Sequence, residues 1–225
     1  MKFPSSPDYI LRCVDGVYDN RQIRLKEIGE EITIGSADDD SVNFSIKDIE
    51  ISPTHCKLIS IPKSIYYTLE DLESVNGTWK KLSFFEDGME ITETTEFRIF
   101  QNAFVFEKLD NEKNEFILKF TEGNINLSRT IDDNLDGFEI GKRDCLYEVS
   151  MPLGNENHML RVQKLNGRLI VTYVTSDITN EGFFYRLKNQ QKTLMRAEDC
   201  FKSSTIEYVS CWSLFSQISE NTPQL

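Results

Sequence analysis

The chain holds two histidines, His55 and His158, and the polar residues around them set what chemistry is open to it. His55 ends the string Ser52-Pro53-Thr54-His55, and Val75-Asn76-Gly77-Thr78-Trp79 follows about twenty residues later. A neutral imidazole has one donor and one acceptor nitrogen, a hydroxyl can do both, and a primary amide has two of each kind of site. Such a set can grip a peptide main chain or an anion, or it can tie loops together. It is a poor set for metal binding or acid–base catalysis, because neither histidine has Cys, His or carboxylate partners at ligand spacing. His55 is therefore expected to structure a loop. Ser52 can donate to an anion or cap a turn. Asn76-Gly77 is a turn signal, since Gly takes positive φ freely and Asn tolerates it, with the Asn amide available to a peptide. Further along, Lys142 and Arg143 follow Gly141, and Asn155 and Asn180 flank His158. Two adjacent cations can hold an anion or form a solvated basic turn.

Enzyme signatures are missing from the sequence: there is no Gly-rich kinase loop with HRD and DFG, no P-loop, no GxSxG and no HExxH. A non-enzymatic protein with no cofactor and no metal is expected. The net charge is −12. Proteins that grip nucleic acid or anionic lipid neutralise phosphates with Lys and Arg, so this balance argues against both partners. No apolar run reaches the roughly 18 residues of a membrane span, and Met1–Asp8 lacks an apolar signal core. The five cysteines are odd in number and widely spaced, as expected for reduced thiols in an intracellular protein.

The elements that must position these residues read as strands. With 225 residues, fifteen Phe and eight Tyr, the chain can build one large core or two of ordinary size. Only Ala37, Ala103 and Ala197 represent the best helix former, whereas strand-favouring residues abound. Short segments such as Tyr9–Val14, Gln22–Leu25, Glu31–Ile34, Cys56–Ile61, Tyr66–Leu72, Gly77–Lys81, Glu96–Phe100, Phe104–Leu109 and Phe116–Phe120 succeed one another between turn residues. That rhythm predicts an all-β protein of antiparallel sandwiches.

A repeat divides the chain. Gly35, His55 and Asn76 recur as Gly141, His158 and Asn180, at offsets of 106, 103 and 104 residues. The polar stretch Asp110–Glu115 marks a boundary, giving domains at 1–110 and 111–213 and a polar tail at 214–225. Residues 1–110 carry 12 Lys and Arg against 21 Asp and Glu, so the negative charge concentrates in the first half.

Ile34-Gly35, Ser52-Pro53-Thr54-His55 and Val75-Asn76-Gly77-Thr78-Trp79 together resemble the forkhead-associated (FHA) domain family, over roughly residues 8–108. The resemblance implies an eleven-stranded β-sandwich whose loops bind phosphothreonine peptides, with Gly35, His55, Gly77 and, in the second half, His158 structuring those loops. It also shows departures. The family places Arg after the Gly, where this chain has Ser36; often a cation two positions before the Ser, where it has Glu50; and Thr where Val75 stands. Losing two guanidinium contacts removes about 3–6 kcal/mol of phosphate binding. The first domain is thus expected to have a degenerate phosphate site, while Lys142, Arg143, Asn155 and Asn180 keep one open in the second.

Two functions follow. The first is an interaction scaffold or adaptor subunit, within a larger complex, that works largely without phosphate. The alternative is a phosphothreonine reader in signalling or DNA-damage and cell-cycle pathways, acting through the second domain. Either way the partners are proteins, and the resemblance implies a nuclear rather than a cytoplasmic location.

Overall fold

A computed structural model of the chain describes residues 9–13, 22–25, 30–61, 64, 66–82, 88–99, 102–110, 115–122, 128–131, 137–141, 148–150, 158–175, 183–196, 199–203 and 206–212. Among them every regular element is a strand, as the composition implies. The chain forms two compact units, one made of residues 1–80 and 187–225, the other of residues 81–186.

The first unit has two five-stranded sheets. One runs β7 (Thr78–Lys81), β19 (Cys200–Ser203), β20 (Ile206–Trp212), β1 (Tyr9–Cys13), β2 (Gln22–Leu25). The other runs β18 (Thr193–Met195), β6 (Tyr67–Asp71), β5 (Cys56–Ser60), β3 (Glu31–Gly35), β4 (Phe44–Ser45). Neighbours are antiparallel except β3 and β4. Period-two burial along β5 and β6 sends Cys56, Leu58, Tyr67 and Leu69 inward, where Ile34, Ile46, Trp79 and Phe201 are also buried.

The second unit repeats the plan. One sheet runs β12 (Ser128–Ile131), β11 (Glu115–Glu122), β10 (Asn102–Asp110), β9 (Thr95–Ile99), β17 (Phe184–Arg186). The other runs β14 (Glu148–Ser150), β13 (Gly137–Gly141), β15 (His158–Leu165), β16 (Arg168–Thr175), β8 (Met89–Ile91), with β13 and β14 parallel. Its core joins both sheets through Phe97, Phe104, Phe106, Phe116 and Leu118 on one side and Ile140, Leu160, Val162, Val171 and Tyr173 on the other. Asn166 and Gly167, both at positive φ, make the two-residue turn between β15 and β16.

The compact units do not coincide with the consecutive halves 1–110 and 111–213. The polar stretch at 110–115 lies in the link between β10 and β11, two strands of the same antiparallel pair. Hydropathy marks that link but carries no record of which sheet each strand joins. The tail at 214–225 lies outside the described residues.

Candidate functional site

Three connections of the first unit, residues 36–43, 46–55 and 72–77, are laced together by their own polar groups. The middle one is the hub. Ser36 donates its main-chain N–H to the Ser52 carbonyl at 3.0 Å and its hydroxyl to the Ile51 carbonyl at 2.7 Å. Ala37 N–H reaches the Pro53 carbonyl at 3.2 Å. From the other side, Val75 N–H donates to the Ser52 hydroxyl at 3.0 Å, and the Asn76 amide donates to the Glu50 carbonyl at 2.8 Å.

Gly35 is dictated by this lacing. A Cβ there would lie 1.9 Å from the Pro53 carbonyl oxygen, so only glycine lets β3 end against that loop. Gly77 has φ of 79°, which fits the Asn-Gly turn. Its carbonyl accepts a hydrogen bond from His55 Nε2 at 3.1 Å, while His55 Nδ1 accepts the Ser52 N–H at 3.2 Å. One nitrogen must donate and the other accept, so the pair of contacts selects the neutral imidazole protonated on Nε2. Burial lowers the His55 pKa below its ordinary 6.5, against the opposing pull of the Gly77 carbonyl and the Asp71 charge.

Beneath the third loop, Asp71 points inward at the end of β6. Its carboxylate accepts the Ser74 N–H at 3.1 Å, the Ser74 hydroxyl at 2.5 Å and the Thr78 hydroxyl at 2.6 Å. Burial, and secondarily the Asp71 charge, pushes the neighbouring Cys56 thiol far up, so it stays protonated and unreactive. Trp79 is core, with its indole N–H on the Asn76 carbonyl at 3.0 Å.

The rim is acidic. Asp38, Asp39, Asp40, Asp48, Glu50 and Glu73 share these three loops with one Lys or Arg, Lys47. Lys47 pairs with Asp38 and also reaches the Ser36 carbonyl at 3.4 Å. The Ser41 hydroxyl and N–H bond the Asp39 carboxylate and lower its pKa. Two apolar side chains stand out among these charges, with Ile49 fully exposed and Val75 82% exposed.

The structure thus gathers Gly35, Ser36, Glu50, Ser52, His55, Val75, Asn76 and Gly77 at one end of the first unit. Sequence reasoning missed Lys47, Ile49 and Asp71. Lys47 sits in no motif, and Asp71 reads as one more surface carboxylate until its place on the inward face of β6 is known. In the second unit, Gly141 ends β13 and His158 opens β15 opposite Thr175. Lys142, Arg143, Asn155 and Asn180 lie outside the described residues. Among the described residues no group of three His, Cys, Asp or Glu could hold a metal ion.

The FHA domain family model matches residues 32–99. Among solved structures, the crystal structure of the FHA domain of the CT664 protein from Chlamydia trachomatis is similar, with a TM-score of 0.38 and 11% identity, covering 91% of this chain and 96% of that one. No curated protein matches. Residues 32–99, from β3 through β9, thus match the FHA domain, a protein-interaction module of a kind that typically reads phosphothreonine.

Proposed function

We propose that the chain is a non-enzymatic adaptor whose first unit binds an unphosphorylated, basic partner segment at its loop end. The observation that carries this reading is the electrostatic balance of the three loops, six carboxylates against Lys47, which is itself paired with Asp38. A phosphate dianion would meet like charge there, whereas a Lys- or Arg-bearing segment would be steered in. Ser36, Ser52 and Asn76 hold the loops in place, and Ile49 and Val75 offer apolar anchorage on the rim.

A second reading has its own support. Lys142 and Arg143 follow Gly141, at the position where the first unit has Ser36 and Ala37, and would give the second unit a phosphothreonine site. Affinity recovery of partners from cell extract separates the two. On the adaptor reading, phosphatase treatment of the extract and the Lys142→Glu, Arg143→Glu double change both leave recovery intact, while high salt weakens it. Loss of recovery after either treatment transfers the function to the second unit.

A further inference from the structure

The two repeats match strand for strand, yet neither compact unit is made from one repeat. β2 and β12 have four residues each and β3 and β13 five each, both pairs at an offset of 106; β8 and β18 have three each, at an offset of 104. The parallel pairing of β3 with β4 recurs in β13 with β14. The first unit nevertheless takes β1–β7 from the first repeat and β18–β20 from the second, and the second unit takes β11–β17 and β8–β10. The last three strands of each repeat have been exchanged.

The β-ladders align the two junctions residue by residue. In the first unit Phe201 pairs with Lys80 and with Tyr208; in the second, Phe97 pairs with Tyr185 and with Phe104. Phe201 therefore corresponds to Phe97, Lys80 to Tyr185, and Asp199, two residues before Phe201, to Thr95. Lys80 and Asp199 are buried, with side chains 5% and 8% exposed, and their Nζ and carboxylate oxygen are 3.3 Å apart. Lys80 also donates to the Leu194 carbonyl at 3.2 Å, and the same Asp199 oxygen accepts the Arg196 N–H at 2.7 Å. At the matching place in the second unit, Thr95 bonds the Glu93 carbonyl at 3.0 Å and Tyr185 packs on Phe97.

We infer that the buried Lys80–Asp199 pair selects the exchanged arrangement over the consecutive one. If each repeat kept its own last strands, Lys80 would face Thr95 and Asp199 would face Tyr185, leaving an ammonium and a carboxylate buried apart. Hydrophobic burial is similar either way, because Phe97 and Phe201 are interchangeable in the ladders. The charge pair is not interchangeable, and a separated buried charge is strongly destabilising. A buried polar pair that fixes which segments associate has the same logic as a buried polar residue that fixes register in a helical assembly.

Full-length chains carrying cysteine pairs test this after refolding from urea under reducing conditions and then oxidation, with cross-links identified by peptide mass. Thr68 faces Leu194 and Ile170 faces Glu90 in the exchanged ladders. Cysteines at 68 and 194, or at 170 and 90, should cross-link within one molecule at least tenfold more than those at 68 and 90 or at 170 and 194. The opposite preference, or cross-links between molecules, would overturn the exchange. In a Lys80→Met, Asp199→Leu background, or with Thr95→Asp and Tyr185→Lys added to give the consecutive arrangement its own charge pairs, the preference should fall several-fold. A preference unchanged in whichever background folds would show that the pair selects nothing.

Discussion

The two units share a plan but fill it differently. Of the buried polar side chains described, His55, Ser60, Asp71, Ser74, Thr78, Lys80, Asp199 and Ser203 lie in the first unit, and Thr95 alone lies in the second. The second unit packs aromatics instead: Phe97 stacks on Phe104 at 5.4 Å, Phe106 meets both edge-on, and Phe183 bridges Phe104 and Tyr173. Apolar packing is tolerant of which neighbour supplies it, whereas buried hydrogen bonds demand particular partners. The first unit is therefore the one whose loops and strand partners are specified by geometry. It is also the one where the acidic rim meets exposed apolar side chains.

That contrast is broken most forcefully in the aromatic core. Phe104→Ala should destabilise the second unit by about 3–5 kcal/mol, seen as faster amide exchange across β10–β12 and β15–β16. Asp71→Ala comes next. It strands two hydroxyls and an N–H in the first unit and should cost about 3 kcal/mol, with exchange rising through residues 66–80. Gly35→Ala should cost about 2 kcal/mol by driving a methyl into the Pro53 carbonyl. Gly167→Ala in the second unit meets no atom within 4 Å and should cost about 1 kcal/mol, from its positive φ alone. Equal losses for the two glycine variants would mean that the lacing around Pro53 yields easily.

The contrast also explains what could be read without coordinates. Gln22–Leu25 is the strand expected, and β5, β6 and β7 lie within a residue or two of their expected bounds, because alternation and turn residues report local geometry faithfully. Two- and three-residue strands such as β4, β8, β17 and β18 have no room for a period and were not legible. The strings around Gly35, His55 and Asn76 pointed to one loop cluster, because each carries a backbone constraint that only a few residues satisfy. Lys80 and Asp199, 119 positions apart, gave no signal, since a sequence does not show which strands share a sheet.

A subtler probe is pH. The unfolded chain protonates His55 near 6.5, while the folded loops resist because burial and the Ser52 N–H both favour the neutral ring. Between 6.5 and the lowered folded value the unfolded state binds more protons, so stability present above that range is lost as pH falls through it. Melting and exchange in residues 50–77 should respond first. The slope should survive in His158→Gln and disappear in His55→Gln. Persistence in the latter would assign the transition to another group.

The smallest effect on stability should accompany the largest on binding. Ile49 and Val75 stand exposed on the acidic rim without filling the core, so Ile49→Asp and Val75→Asp should each shift stability by no more than about 0.5 kcal/mol. If the loop end anchors a partner segment, each change removes an apolar contact from that surface, and recovery of partners should fall at least tenfold. Added negative charge favours a basic segment at long range, so a fall in recovery can be credited to the lost apolar anchor rather than to electrostatics. Unchanged recovery with both variants, in a chain whose loops still protect their amides, would remove the loop end from consideration and leave the sheet surfaces as the site of contact.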